Sequence, residues 1–174
     1  MPRLNTTQVA RAAEHYVVAE IHRRGGYAAC FGGNMPLIDI LATDIERRRT
    51  VTIQVKAKKG GREWQTSITR GRPRDPEDEP TRFWIMVDLV PEVPTYFIIP
   101  EWWIQNDIHE THAAYLARHG GQRARSADST HHAIQINRIE QWRNSWDLLG
   151  ILPDEPTSET EPATQADALH PPTR

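Results

Sequence analysis

The segment Pro36–Ala42, PLIDILA, constrains the fold more than any other stretch, because it sets one charged residue among apolar ones. Asp39 lies between Ile38 and Ile40, in what otherwise reads as a buried strand. A buried carboxylate without a partner costs several kcal/mol or takes up a proton. Asp39 therefore either faces a polar opening on one face of the strand or binds a positively charged group.

The next apolar segment alternates and predicts a strand that pairs with the first. Within Thr50–Ala57 the side chains alternate between the two faces, with Thr52, Gln54 and Lys56 on one face and Val51, Ile53 and Val55 on the other. The connector DIERRR is short enough for a hairpin, and a turn near Glu46–Arg47 places Asp39 opposite Gln54. Lys56 is then the diagonal neighbour of Asp39 on the same face.

The remaining pattern predicts an α/β fold for residues 1–152, with a mixed central sheet flanked by helices. The first helix follows a threonine cap at Thr6 or Thr7 and ends near Arg24, before two glycines. Further strands and helices are predicted, in chain order, at Tyr27–Phe31, Leu37–Thr43, Thr50–Ala57, Trp64–Thr69, Phe83–Leu89 and Tyr96–Ile99 for strands, then Pro100–His119 and Arg138–Leu149 for helices. Arg70–Pro80 is expected to be a charged, mobile loop.

Charge is divided between the two halves of the chain. Residues 1–74 contain 14 Lys and Arg against 6 Asp and Glu, whereas residues 75–174 contain 7 against 17. A basic half suggests a surface that meets a polyanion, although charge also varies along chains that have no such role. Any site in the basic half lies in a positive field.

Composition also predicts the cellular setting and the end of the domain. A single cysteine excludes an intramolecular disulfide and is typical of a reducing compartment. No apolar run reaches the roughly 18 residues of a membrane span, and no apolar segment follows the N-terminal charges, so we expect a soluble cytoplasmic protein. Residues 153–174 contain five prolines and five acidic residues, which predicts a disordered tail.

A small set of polar groups supplies the parts of metal-assisted phosphodiester hydrolysis. Glu14, at the edge of the apolar stripe of the first helix, and Asp39 offer the hard oxygen ligands that Mg²⁺ prefers. Gln54 and the backbone carbonyl of Val55 can add neutral oxygen ligands. Lys56 can bind a phosphate oxygen or steady the attacking water. A cation would polarise the phosphate, and the lysine would stabilise the anionic transition state.

The order Glu14, NMPLID ending at Asp39, and IQVK ending at Lys56 resembles the PD-(D/E)XK nuclease superfamily. That superfamily has the restriction-endonuclease-like fold and includes Holliday-junction resolvases and some homing endonucleases. The resemblance implies a core of a helix, three antiparallel strands, a helix and a further strand, over Thr6 to about Pro100. Gln54 stands where the motif has an acidic residue, so the chain is similar to a Gln-x-Lys subgroup, and a weaker second metal site is expected.

The resemblance implies a Mg²⁺-dependent DNA endonuclease in which Mn²⁺ can substitute. Asp39 would be the principal metal ligand, Glu14, Gln54 and the Val55 carbonyl would be supporting ligands, and Lys56 would be the catalytic lysine. One acidic site cuts one strand, so duplex cleavage favours a homodimer. Residues expected to contact nucleic acid, or else to form solvated faces, are Lys58, Lys59, Arg62, Trp64, Arg47 and Arg48.

Other interpretations stay open. If Gln54 marks lost cleavage, the same fold would be a nucleic-acid-binding or protein-binding module. The acidic half would alternatively serve a non-enzymatic interaction protein. Zinc is not expected, because His109 and His112 have i, i+3 spacing rather than the i, i+4 spacing of the zinc helix. His131 and His132 are expected in a loop.

Overall fold

The computed structural model describes residues 5–31, 35–123 and 128–153. The helices of this part of the chain are α1 (Thr6–Arg23), α2 (Glu101–Arg118) and α3 (Ile136–Ile139). The strands are β1 (Tyr27–Cys30), β2 (Ile40–Thr43), β3 (Thr50–Lys58), β4 (Glu63–Ser67), β5 (Arg82–Asp88), β6 (Thr95–Pro100) and β7 (His131–Gln135). Beyond Pro153, the predicted disordered tail lies outside the described residues, so that prediction remains untested.

The main sheet has five strands in the order β1-β2-β3-β5-β6. Strands β1, β2 and β3 pair antiparallel, β5 pairs parallel with β3, and β6 pairs antiparallel with β5. Strands β4 and β7 form a separate antiparallel sheet. The predicted fold class, a mixed central sheet flanked by helices, is confirmed.

Alternation along the central strands directs apolar side chains into two separate layers. On one face, Val17 and Ile21 of α1 pack with Ile53 of β3. On the opposite face, Trp84 of β5 packs with Ile104 of α2 and with the small sheet. Each such side chain contributes roughly 1.5–3 kcal/mol when it is fully buried. In the described part of the chain, no helix is long and apolar enough to cross a membrane.

Two elements begin at residues other than those predicted. Asn5 caps α1, one residue before the predicted threonines, because its side chain accepts from the Gln8 N–H at 2.8 Å and Gln8 Oε1 accepts from the Asn5 N–H at 3.0 Å. Strand β2 begins at Ile40 rather than Leu37, since Leu37 has a φ of 71°, which no strand residue adopts.

The helix predicted over Arg138–Leu149 is wrong. Helix α3 ends at Ile139, and two 3₁₀ turns follow it. Arg143 forms an isolated bridge with Phe97 of β6, and Asn144 then adopts a φ of 52°. Contact with the edge of the main sheet therefore interrupts an apolar spacing that would otherwise suit a helix.

The connection between β3 and β5 differs from the pattern that the family resemblance implies. Strand β4, a 3₁₀ turn at Ile68–Arg70 and a loop stand in place of the expected helix. Because β7 pairs with β4, His131 and His132 lie in a strand and the predicted loop is wrong. The charged loop that follows is anchored on α2, since the Arg74 N–H donates to Asn106 Oδ1 at 2.8 Å and Asn106 donates back to the Arg74 carbonyl at 2.7 Å.

Candidate active site

Asp39 lies one residue before β2, at the end of the β2–β3 ladder. The register is the predicted one, since Ile40 lies opposite Ile53. The Asp39 N–H donates to the Ile53 carbonyl at 2.9 Å, and Asp39 Oδ2 accepts from the Val55 N–H at 2.7 Å. Asp39 thus contacts the two residues that flank Gln54. The half-buried carboxylate has a backbone partner on one oxygen, and no described residue donates to its Oδ1.

The edge of β3 beyond Ile53 is left open by β2. Strand β3 continues to Lys58, whereas the pairing with β2 stops at Ile40. In an extended strand, the N–H and C=O of one residue point toward the same neighbour. Because the Val55 N–H reaches Asp39, the Val55 carbonyl faces the same open edge. The predicted carbonyl ligand and the predicted carboxylate ligand therefore share one side of β3.

The Gln54 side chain is buried, and its carbonyl oxygen is unsatisfied. Gln54 is 9% exposed and lies beside Trp84 in the parallel β3–β5 pair. Its Oε1 has no hydrogen-bond partner among the described residues. Leaving a buried acceptor unpaired costs about 1–3 kcal/mol, so such groups call for a donor or a cation. An amide oxygen of this kind is chemically suited to a hard cation.

Lys56 is a half-buried cation without a carboxylate bonded to it among the described residues. Burial lowers the pKa of Lys56, the Asp39 carboxylate acts to raise it, and the Arg70 guanidinium lowers it further. Its Nζ lies 5.8 Å from the centre of the Trp84 ring. Lys56 therefore lies within the electrostatic influence of one carboxylate, Asp39, and of one further positive charge, Arg70.

Glu14 reaches the same neighbourhood from α1. It is 8% exposed, and its Oε2 accepts from an Arg11 guanidinium nitrogen at 2.7 Å. Burial raises the pKa of the nearby Cys30 thiol, and the charges of Glu14 and Asp39 raise it further. The structure thus brings both predicted carboxylates near Cys30, but Arg11 already occupies one oxygen of Glu14.

The donors around Asp39 fit a cation that keeps much of its water. Within the described ranges, no group of three or more His, Cys, Asp or Glu side chains is arranged to hold a metal ion. The free donors are Asp39 Oδ1, the unsatisfied Gln54 oxygen and the Val55 carbonyl, with Glu14 close by. All of these are oxygen atoms. Mg²⁺ is bound by one or two carboxylates with several waters, so this donor set fits it.

Two of the residues predicted to contact nucleic acid are buried instead. Trp64 is 1% exposed, and its indole N–H donates to the Val87 carbonyl at 3.1 Å, so it cannot stack on a base. Lys58 is 9% exposed, forms an ion pair with Asp88, and lies over the Trp64 ring. These two contact predictions are incompatible with the structure, because Trp64 packs in the core against Phe97 and its ring in turn covers Lys58.

The other predicted contact residues are exposed. Arg48 forms an ion pair with Glu46 at 2.9 Å, whereas Arg47 lies at the tip of the hairpin with a φ of 58°. Lys59 and Arg62 flank the turn between β3 and β4 and form no ion pair with a described residue. These positions leave a backbone-phosphate contact open for Arg47, Lys59 and Arg62.

The sequence interpretation missed Arg70. It ends the 3₁₀ turn that Ser67 caps by accepting from the Thr69 N–H at 3.2 Å. The next residue, Gly71, is packed so closely against α2 that an added Cβ would lie 2.7 Å from the backbone nitrogen of His109. The turn therefore holds Arg70 near Lys56. In the sequence, Arg70 is one arginine in a charged run, and nothing local distinguishes it from the others.

Comparison with known proteins gives structural neighbours only. No protein-family model and no curated protein matches the sequence. The fold is similar to a bacterial homing endonuclease, I-Ssp6803I, with a TM-score of 0.49 and 13% identity, over 84% of this chain and 95% of that one. It is also similar to Archaeoglobus fulgidus Hjc, a Holliday junction resolvase from an archaeal hyperthermophile, with a TM-score of 0.43 and 15% identity, over 76% and 88% of the two chains.

Proposed function

We propose that this protein is a metal-dependent DNA endonuclease with its active site at the open edge of β3. The observation that carries the proposal is Lys56, a half-buried ammonium group that lies near Asp39 without a bonded carboxylate among the described residues. Keeping such a charge in a partly desolvated place is unfavourable unless an anion is to be bound there. A phosphodiester supplies that anion.

Asp39, the Val55 carbonyl and Gln54 would hold Mg²⁺, with Glu14 contributing through the oxygen that Arg11 does not occupy. The bound cation would polarise the scissile phosphate and lower the pKa of a water ligand. The hydrogen bond from the Val55 N–H fixes the Asp39 carboxylate before any ligand arrives, so its orientation costs nothing at binding.

Lys56 would stabilise the charge that develops on the phosphate oxygens during attack by water. Its partly buried position strengthens this interaction, because the effective dielectric constant is lower than in solvent. Arg70 adds a second positive charge close enough to lower the pKa of Lys56. The pair would hold a non-bridging phosphate oxygen while Asp39 faces the attacking water.

The exposed basic residues Arg47, Lys59 and Arg62 would position the DNA backbone and carry little sequence information. One site of this kind cuts one strand. Cleavage of both strands of a duplex would therefore use a homodimer, in the cytoplasmic setting that the composition favours.

Asp39→Asn tests the metal role directly. The amide oxygen can still accept from the Val55 N–H, so the fold should be kept while the anionic ligand is lost. Nicking of supercoiled DNA with Mg²⁺ or Mn²⁺ should fall by about 100-fold or more, and chelator should abolish it in the wild type. Asp147→Asn, at an exposed position in the last 3₁₀ turn, is the matched control and should cut normally. Wild-type nicking that persists in chelator would contradict the proposal.

A nucleic-acid-binding module without cleavage is the second candidate. It is favoured by the neutral Gln54 and by the lack of a three-carboxylate group in the described chain. Gln54→Glu distinguishes the two functions. If the protein is a nuclease, this change should lower the Mg²⁺ concentration needed for cleavage. If it is a binding module, the change should only weaken DNA binding by charge repulsion. Gln54→Ala should slow a nuclease by about 10- to 100-fold. Salt-dependent binding without nicking in any metal would select the binding module.

A further inference from the structure

A positively charged cleft lies between the small sheet and the second half of α2. It has a volume of about 330 Å³, at the lower end of the range for small-molecule sites. We call it the basic cleft. Its lining includes Glu63, Gln65, His112, Arg118, Arg123 and His132.

The charges that line the basic cleft are mostly positive and unpaired. Arg118 and Arg123 form no ion pair with any described carboxylate. Arg118 donates to the Ala114 carbonyl at 3.2 Å, and Arg123 donates to the His131 carbonyl at 2.7 Å. Arg138, which contacts the lining residue His132, is different, because it is ion-paired with Asp107. The acidic lining residue Glu63 accepts a hydrogen bond from Gln65 at 2.9 Å rather than meeting an arginine.

Two buried polar atoms of the lining lack hydrogen-bond partners among the described residues. They are His112 Nε2 and one terminal nitrogen of the Arg123 guanidinium. Unsatisfied buried polar atoms are unfavourable and rare, so a pair of them beside one cleft indicates that the cleft is suited to a ligand. A guanidinium nitrogen can only donate, which identifies that ligand as an acceptor.

The histidines around the cleft already experience the positive field. Burial, followed by the charges of Arg138, His112 and Arg123, lowers the pKa of His132 to about 4. Burial and Arg123 lower the pKa of His112 in the same way. A cation would be repelled here, and the described chain has no metal-holding group at this place. An anion would be attracted.

We propose that the basic cleft binds a phosphate group, presented by a nucleic-acid strand or by a free mononucleotide, through Arg118, Arg123 and His112. Two arginine guanidinium groups match phosphate oxygens in bidentate geometry, and a neutral imidazole can donate a further hydrogen bond. A cleft of this volume accommodates the phosphate together with a sugar.

The path of the chain connects the basic cleft to the proposed active site. Gln65 lines the cleft, and five residues later Arg70 lies near Lys56. This stretch of strand and 3₁₀ turn covers on the order of 10–15 Å. At about 3.4 Å of axial rise per nucleotide, that distance corresponds to roughly three to four nucleotides of one strand. A nucleic-acid strand with its scissile phosphate at Lys56 would place a neighbouring phosphate at the basic cleft. Of the two sources of phosphate, only the nucleic-acid strand rests on the proposed nuclease function.

Calorimetric titration of the full chain, with chelator present, tests the cleft independently of cleavage. The probes are inorganic phosphate, a 5′-mononucleotide and a short single-stranded oligonucleotide. The double variant Arg118→Gln/Arg123→Gln should weaken phosphate binding by about tenfold or more, since it removes both bidentate donors. Arg23→Gln/Arg143→Gln removes the same charge from two exposed positions outside the cleft and should bind as the wild type does.

The two sources of phosphate give different results. If a strand is the ligand, the oligonucleotide also weakens and its salt slope falls by about two in the double variant. If only the mononucleotide and inorganic phosphate weaken, the cleft is a small-molecule site. Equal phosphate affinity in the double variant and the control would overturn the proposal.

A measurement on the wild type guards against misfolding of the double variant. The ring signals of His112 report its ionisation by nuclear magnetic resonance. Saturation with inorganic phosphate should raise the pKa of His112, because the bound anion opposes the field of Arg123. A pKa that does not move at saturating phosphate, with binding seen elsewhere, would also overturn the proposal.

Discussion

Two lysines on β3, Lys56 and Lys58, project into the same layer and have opposite surroundings. Lys58 is ion-paired with Asp88 and lies 4.8 Å from the centre of the Trp64 ring. Lys56 has no bonded carboxylate among the described residues, and burial lowers its pKa. The parallel register explains the difference, since Lys58 lies beside Asp88 and Lys56 lies beside Met86.

This difference distinguishes a charge that is part of the fold from a charge that is available to a ligand. In a buried ion pair each charge neutralises the other, and removing one partner leaves a buried charge unpaired. A partly buried lysine without such a partner gives the fold no comparable benefit. Its retention is therefore expected where an external anion, such as a phosphate group, binds.

The largest expected effect comes from breaking the Lys58–Asp88 pair. Lys58→Met leaves Asp88 buried without its cation and should lower the free energy of unfolding by about 3–5 kcal/mol, measured by urea denaturation. The double variant Lys58→Met/Asp88→Asn removes both charges and keeps the acceptor for the Val90 N–H, so most of the stability should return. A loss below about 1 kcal/mol in the single variant would show that the pair is not needed for folding.

Lys56→Met should produce the reverse outcome. The nicking rate should fall by about 100- to 1,000-fold, the usual effect of removing a group that stabilises an anionic transition state. The free energy of unfolding should stay the same or rise, because a partly desolvated charge is replaced by an apolar chain. Lys59→Met, at an exposed lysine of the same segment, is the control for stability and should leave the free energy of unfolding unchanged. If Lys56→Met lowered the free energy of unfolding as much as Lys58→Met does, the distinction between Lys56 and Lys58 would be lost.

Arg70→Ala should have the smallest effect, on the alkaline limb of the activity profile. Because the folded-state pKa of Lys56 is lowered from 10.5, its positive charge is lost below that pH. Between the lowered value and 10.5 the unfolded chain binds more protons, so stability rises with pH while the nicking rate falls. Removing Arg70 raises the pKa of Lys56 and should move the falling limb to higher pH. An alkaline limb at the same pH in Arg70→Ala and the wild type would show that Arg70 does not influence the pKa of Lys56.

Local pattern was sufficient to predict the hairpin that carries Asp39 and Lys56. Alternation along β3 and the short connector determine its register, because both signals come from residues close in sequence. Trp64 could not be placed in this way. Its burial depends on the pairing of β4 with β7, where it faces Ile134, a residue 70 positions away in the chain.

The proximity of Arg70 to Lys56 also could not be predicted from the sequence. It depends on Gly71 packing against α2 and on hydrogen bonds between the charged loop and Gln105. Such contacts join segments that share no periodicity, and charge alone predicts only that a loop is solvated. The third case is the C-terminal segment, whose apolar spacing suits a helix until Arg143 bridges to Phe97.

The close packing of Gly71 on α2 limits how this chain can vary in evolution. The segment from Ser67 to Arg72 is fixed at both ends, by the capped turn and by the Arg72 N–H that donates to the Gln105 carbonyl at 3.2 Å. An inserted residue there would carry Arg70 away from Lys56. Homologues that keep the activity should therefore show constant length from 67 to 72, and their insertions and deletions should fall between Asp75 and Glu77, where every residue of the loop is exposed.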